Sequence, residues 1–227
     1  MLSPEDIYYK LNSKVNKNDT NSNVKVSKSI FVMVFNEQKR KYLDQEIKED
    51  ESSDGIENFN EILSKPTLLT KVGEDTIRDD FKLPIDFFKR VSSYSLASKG
   101  GCTGNVLVNW FVKPKDINVL LQNSHTSPSF EYQETLALVN DGNVSVYKDG
   151  FALDKVYLTY YKDPPDIDIE GYIKAEGVHS TSIPTTLSDL NIDKILDRAV
   201  VEITNNYQSI EQYQLAVQRQ QQNEKRT

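Results

Sequence analysis

Apolar residues recur at helical spacing toward both ends of the chain and alternate in short runs through its middle. Ile7, Leu11 and Val15 stand four residues apart and mark one face of a first helix. Ser3 can cap it, Pro4 occupies a position where a missing N–H costs nothing, and Asp6 completes a box-like start. The stretch from Asn16 to Asn23 is polar and rich in Asn, which competes for backbone hydrogen bonds, and reads as a loop. A longer helix is expected from about Ser27 to Lys48, where Ile30 and Val34, Phe31 and Phe35, and Leu43 and Ile47 are spaced by four. Its end runs into Glu46, Glu49, Asp50, Glu51 and Asp54, an acidic run that reads as a solvated linker. Ile56, Phe59, Ile62 and Leu63 predict a short helix before Pro66.

From Thr67 the pattern changes to strands. Thr67 to Val72, Thr76 to Phe81 and Tyr94 to Ala97 read as short strands, and Leu83 to Phe88 reads as a bend opening one turn of helix. Val106 to Val112 is the strongest strand pattern in the chain, and Lys115 to Leu121 reads as a short helix. Glu131 to Val139 and Val144 to Tyr147 flank Asn140-Asp141-Gly142-Asn143. Asp-Gly between two strand runs is a strong hairpin signal, because both turn positions need a backbone angle that Asp tolerates and Gly adopts freely. Val156 to Tyr161 gives a further strand, ended by Pro164-Pro165.

Beyond Pro184, Ile192, Leu196, Ala199, Ile203, Ile210 and Val217 fall near one helical face, with Ser188 or Asn191 as the cap. Asn205-Asn206 is a potential break, and Ser209-Ile210-Glu211-Gln212 has the form of a capping box that restarts a helix. The expected architecture is α+β, with N- and C-terminal helices packed together and an antiparallel β domain inserted between them. The corresponding parts are residues 1–66, a β-rich insertion over 67–183, and a C-terminal helix with a polar tail over 184–227.

The chain has 227 residues, enough to bury a core without disulfides. Its net charge of −7 argues against a surface that wraps duplex DNA electrostatically. No basic stretch followed by an apolar run opens the chain, and no apolar run approaches the roughly 20 residues of a membrane span, so a protein made in the cytoplasm with no membrane partner is expected. A hydrophobic fraction of 37% is low for a self-sufficient globule, whereas 12 Tyr and 9 Phe suit surfaces that become interfaces.

Chemistry is sparse. The single cysteine, Cys102, rules out an intrachain disulfide and any multi-cysteine metal site. It sits in Gly100-Gly101-Cys102-Thr103-Gly104, where His125 or His179 would have to activate it as a nucleophile, and a turn cysteine is the simpler reading. Asp166, Asp168 and Glu170 alternate with Ile167 and Ile169. In an extended segment the acids share one side and could hold a hard cation, but the same alternation marks a half-buried strand, which is the favoured reading. No phosphate-cradling glycine loop is present in the sequence. The usual enzymatic equipment is missing from the sequence, and an active site built from carboxylates alone stays open as the alternative.

Several segments together resemble a known family. They are the capped first helix, Phe35-Asn36-Glu37-Gln38 in the second, Leu83 to Phe88 followed by Ser92-Ser93, and Pro128-Ser129-Phe130-Glu131. With them go the Asp-Gly hairpin with Val146-Tyr147-Lys148-Asp149, Tyr160 to Ile167, and the final helix with Asp197-Arg198-Ala199-Val200. This set is similar to neck and tail-ring structural proteins of crAss-like short-tailed bacteriophages, the head–tail connector subunits that stack below the portal. The resemblance implies a non-enzymatic virion protein without a cofactor, forming a homo-oligomeric ring of twelve copies that joins head to tail. Its implied partners are the portal protein, the other neck and tail rings, and genomic DNA passing through the channel without specific binding. An acidic wall suits such a conduit, because it avoids tight phosphate binding. Expected contact positions are Asn140, Asp141 and Gly142 in the hairpin loop. Ile210, Tyr213, Val217, Gln218, Gln220 and Gln221 near the C-terminus form an expected axial docking element. The competing readings are a receptor- or carbohydrate-binding tail module and a small cysteine- or carboxylate-dependent enzyme.

Overall fold

A computed structural model gives the fold and describes residues 2–18, 25–50, 59–174 and 176–205. The described residues form a mixed α/β structure of four helices and eight strands, in two compact units. One comprises the chain up to Glu61 together with the chain from Pro164 onward, and the other runs from Ile62 to Asp163.

The first unit is helical. Helix α1 spans Pro4–Asn18, so it takes in the first residues of the stretch expected to be a loop, of which 19–23 lie outside the described residues. Its start is a reciprocal cap: the Asp6 N–H donates to Ser3 Oγ at 3.1 Å, and the Ser3 N–H donates to Asp6 Oδ2 at 3.2 Å. Helix α2 spans Lys28–Asp50 and buries Phe31, Val34, Phe35, Leu43 and Ile47, while Ile30 is left exposed. Helix α4 covers residues 189–205, buries Ile192, Leu196, Ala199 and Ile203, and is capped by Ser188, whose Oγ accepts from the Asn191 N–H. The Tyr8 ring of α1 meets Phe31 of α2 edge-on at 5.4 Å. Lys10 and Lys14 pair with Asp193 and Asp197 of α4, and the Tyr42 hydroxyl donates to Asn191 Oδ1 at 2.8 Å. The short helix expected around Phe59 is a single turn in its described part, with Phe59 and Ile62 buried.

Residues 164–183, grouped with the strands by sequence pattern, fold with the helical unit. Lys39 on α2 is the reason: its fully buried ammonium donates to the carbonyls of Pro164 and Pro165 at 2.7 and 3.1 Å and to Asp166 Oδ1 at 2.8 Å. Asn36 adds two bonds to the backbone of Ile167. The expected strand at Asp166 to Glu170 reduces to one isolated bridge, Asp168 with Ile183. Strict alternation fails because Asp168 is buried along with Ile167 and Ile169. Asp168 accepts from the Tyr172 hydroxyl at 2.8 Å and from the Ile169 N–H at 2.9 Å, and faces Lys174 at 2.7 Å. The three acids therefore do not converge, and among the described residues no cluster of three or more His, Cys, Asp or Glu side chains is arranged to hold a metal ion.

These bonds tie the helical unit to pH. Burial pushes the Asp166 carboxyl up, but the Lys39 hydrogen bond and charge, with Arg40, outweigh it and hold the group below its ordinary value. Burial is likewise outweighed at Asp168 by Lys174 and Tyr172, and at Glu61 by the Ser188 N–H and Asn191. A depressed carboxylate stabilises the folded state above its unfolded pKa, near 4, and that stabilisation is lost as pH falls through the folded value. Denaturant midpoints followed by far-UV circular dichroism should fall steadily between about pH 5 and pH 3, and Asp168→Asn should flatten the slope.

The second unit is a β structure. Its strands are β1 Thr67–Leu68, β2 Thr70–Glu74, β3 Arg78–Lys82, β4 Phe87–Lys99, β5 Cys102–Phe111, β6 Glu134–Asn140, β7 Asn143–Tyr147 and β8 Ala152–Lys162, with helix α3, Ile117–Gln122, between β5 and β6. They form one sheet in the order β1-β8-β4-β5-β6-β7-β3-β2. The two edge strands are separated in sequence by Leu69 alone. With consecutive Cα atoms about 3.8 Å apart, the edges must come together at that point, and the sheet curls into a near-barrel. Leu69 fills the inside with Phe81, Leu107, Val144, Val146 and Leu158.

Two expectations are corrected here. The sheet is not wholly antiparallel, since β5 and β6 run parallel. The intervening segment, carrying α3, is long enough to return the chain to the same end, which a parallel pair requires. The helical turn expected at Leu83 to Phe88 is instead a tight turn, with the Phe87 N–H bonded to the Pro84 carbonyl and β4 starting at once. Among the described residues, no helix is long and apolar enough to cross a membrane.

Candidate protein interface

The expected contact residues separate into two groups. Ile210, Tyr213, Val217, Gln218, Gln220 and Gln221 lie outside the described residues. Asn140, Asp141 and Gly142 form the β6–β7 turn, in which Asp141 and Gly142 both take positive φ, 42° and 76°, as the Asp-Gly signal requires. The Gly142 carbonyl accepts from the Leu83 N–H at 3.0 Å, which joins this loop to the turn carrying the fully exposed Ile85. Cys102 is exposed at the β4–β5 turn and, among the described residues, makes no hydrogen bond to His125, while His179 belongs to the other unit.

The surface most suited to a partner is one the sequence reading did not single out, the outer wall formed by β4, β5 and β8. On β5 the side chains alternate strictly: Leu107 and Asn109 point inward and are buried, while Val106, Val108 and Trp110 point outward and are each about half exposed. On β4, Ser93, Ser95 and Ala97 point inward, and Tyr94 and Leu96 outward. Strand pairing lines these residues up. Leu68, Tyr157, Tyr94 and Val108 are successive partners across four strands, and Lys155, Leu96 and Val106 form the next row. Tyr94 and Tyr157 stack with ring centroids 4.9 Å apart and planes 15° from parallel.

Polarity is thereby inverted in this part of the wall. The inner side carries a hydrogen-bonded chain: Ser95 Oγ donates to Asn109 Oδ1 at 2.7 Å, Asn109 Nδ2 to Ser93 Oγ at 2.7 Å, and Ser93 Oγ to the Tyr157 carbonyl at 2.8 Å. Those bonds satisfy the buried polar atoms, so the barrel tolerates them. The outer side is a run of Leu, Tyr, Val and Trp, with Lys155 at the end of its second row, and no element of the β unit lies over it. Single exposed apolar side chains are ordinary, but a contiguous row spanning several strands marks an interaction surface.

The adjoining wall shows what cover looks like. Outward-facing Leu136, Leu138 and Tyr147 on β6 and β7 are buried because α3 lies across them, with Ile117, Leu120 and Leu121 packed on top. Ile117 is held by its place in the crossover, and the apolar outer face of β6 and β7 is thus closed within the chain. Within the β unit the face of β4, β5 and β8 is open.

No family model matches the chain, and no curated protein matches it either.

Proposed function

We propose that this chain is a virion structural protein, a non-enzymatic ring subunit of the neck or tail of a crAss-like short-tailed bacteriophage. In this reading twelve copies close a ring below the portal, join head to tail and let the genome pass. The helices contributed by the two ends of the chain pack as one body, and the β unit is inserted between them. The observation that carries the proposal is the inverted wall: apolar outside at Leu68, Tyr94, Val106, Val108, Trp110 and Tyr157, polar inside at Ser93, Ser95 and Asn109. A chain that keeps hydroxyls and amides inside and aromatic rings outside is completed by a neighbour, here a second copy of the same chain. A closed ring needs a lateral face of this kind on every subunit, matched by a different face on the next. The family resemblance supplies the ring's place in the virion, and the net charge of −7 suits a conduit for DNA.

Trp110 gives a direct test, because it is the only tryptophan and lies in the open wall. On raising the protein concentration, its emission should shift to shorter wavelength in step with an increase in sedimentation coefficient. Emission unchanged across an assembly transition removes this wall from the contact, and absence of any transition removes the ring.

A further inference from the structure

The geometry points to a recognition pocket for a single cationic side chain, arginine or lysine, beside Trp110. The indole is fixed in place: its Nε1 donates to Glu134 Oε2 at 3.0 Å, while the residue remains 57% exposed. Next to it opens a cavity of about 240 Å³, floored by Val112, Leu120 and Leu136 and rimmed by His125, Thr126 and Glu134.

Charge complementarity decides the occupant. The indole face and the Glu134 carboxylate both present negative potential to the same space. Glu134 forms no ion pair among the described residues, and its second oxygen, Oε1, accepts no hydrogen bond there. The apolar floor suits the aliphatic stem of a long side chain, whose cation then lies against the indole and donates to Oε1. An acidic side chain is repelled by Glu134. A purely apolar one leaves that carboxylate desolvated without a partner. A sugar demands several convergent donors and acceptors, whereas of the polar lining residues Thr126 and Thr135 already donate their hydroxyls to the Leu120 and Tyr147 carbonyls, and Val112, Leu120 and Leu136 offer none.

The probe is N-acetyl-arginine methylamide, titrated into the full chain with Trp110 emission as the signal. A saturable change is expected, with half-saturation on the order of 1–10 mM, weakened by added salt. The norleucine and glutamate counterparts and methyl glucoside should give none. Glu134→Gln keeps an oxygen for Trp110 Nε1 but removes the charge, and should weaken binding about fivefold. An equal response to the norleucine compound, saturation by methyl glucoside instead, or no saturable response to arginine overturns the proposal; all three are read on the unaltered protein. The outcome is separable from ring formation. A chain that binds arginine and stays monomeric keeps the pocket and loses the ring, and a ring that ignores arginine does the reverse.

Discussion

Val108→Lys is expected to abolish assembly while leaving the β unit folded. Val108 sits in the middle of the open wall, between Tyr94 on β4 and Glu134 on β6. In the isolated chain a lysine here points to water and faces an acid across the parallel pair, so its cost should stay within about 1 kcal/mol. Against a neighbouring copy, the same ammonium and the Glu134 carboxylate beside it are both taken out of water among Leu68, Tyr94, Val106 and Trp110. Desolvation still costs several kcal/mol per ion after relaxation, and about 1.4 kcal/mol per contact already weakens association tenfold. A ring multiplies the loss, since every subunit contributes the same face. Val119→Lys is the control, because Val119 is 70% exposed on α3, away from this wall, and should leave assembly unchanged. Sedimentation velocity of the two variants beside far-UV circular dichroism separates loss of assembly from loss of fold.

The largest expected effect on stability is at Lys39. Its three ammonium protons are fully used by the Pro164 and Pro165 carbonyls and by Asp166, and the residue has no exposed surface. Two successive prolines have no N–H to offer a neighbouring strand, so this segment is held to α2 through its carbonyls. Lys39→Met keeps the stem and removes the donors, orphaning two carbonyls and leaving Asp166 to Arg40 alone. Leaving a buried carbonyl without its donor costs about 1–3 kcal/mol, and the half-exposed Asp166 adds less, together a sizeable share of the stability of an ordinary domain. Denaturant unfolding followed by circular dichroism should show the drop, and a change below about 1 kcal/mol would mean that Lys39 is a passenger.

The helices were legible because their signal is local. Ile7, Leu11 and Val15, or Phe31 and Phe35, are spaced by about one helical turn and share a buried face, and Ser3 with Asp6 writes the helix start into four residues. The β6–β7 hairpin was legible for the same reason, since Asp141-Gly142 dictates its own turn. What depends on distant partners was not. The first half of β4, Phe87 to Ser93, lacks alternation and is extended only because β8 pairs along it. The parallel join of β5 to β6 is set by a crossover whose path the residues between do not announce.

The open wall shows a further limit. Alternation along Ser93 to Ala97 and Val106 to Trp110 divides each strand into two faces, yet it does not say which faces inward. The ordinary assumption puts the apolar set inside. Here Ser93, Ser95 and Asn109 are inside because they satisfy one another, and the apolar set is left for something else to cover. The sequence did carry a clue, the serines at alternate positions opposite an asparagine, but its meaning needs the pairing. Lys39 was hidden in the same way, as one charge among many on a helix rich in them.

The proposed function requires this chain to close a ring of many copies. The mass of the native assembly, measured on the full chain beside a negative-stain image, tests it most directly. A single species near twelve times the 26.0 kDa chain, with end-on views showing a closed ring and a central hole, is the expected result. A monomer or a trimer at every concentration, without ring views, would contradict it.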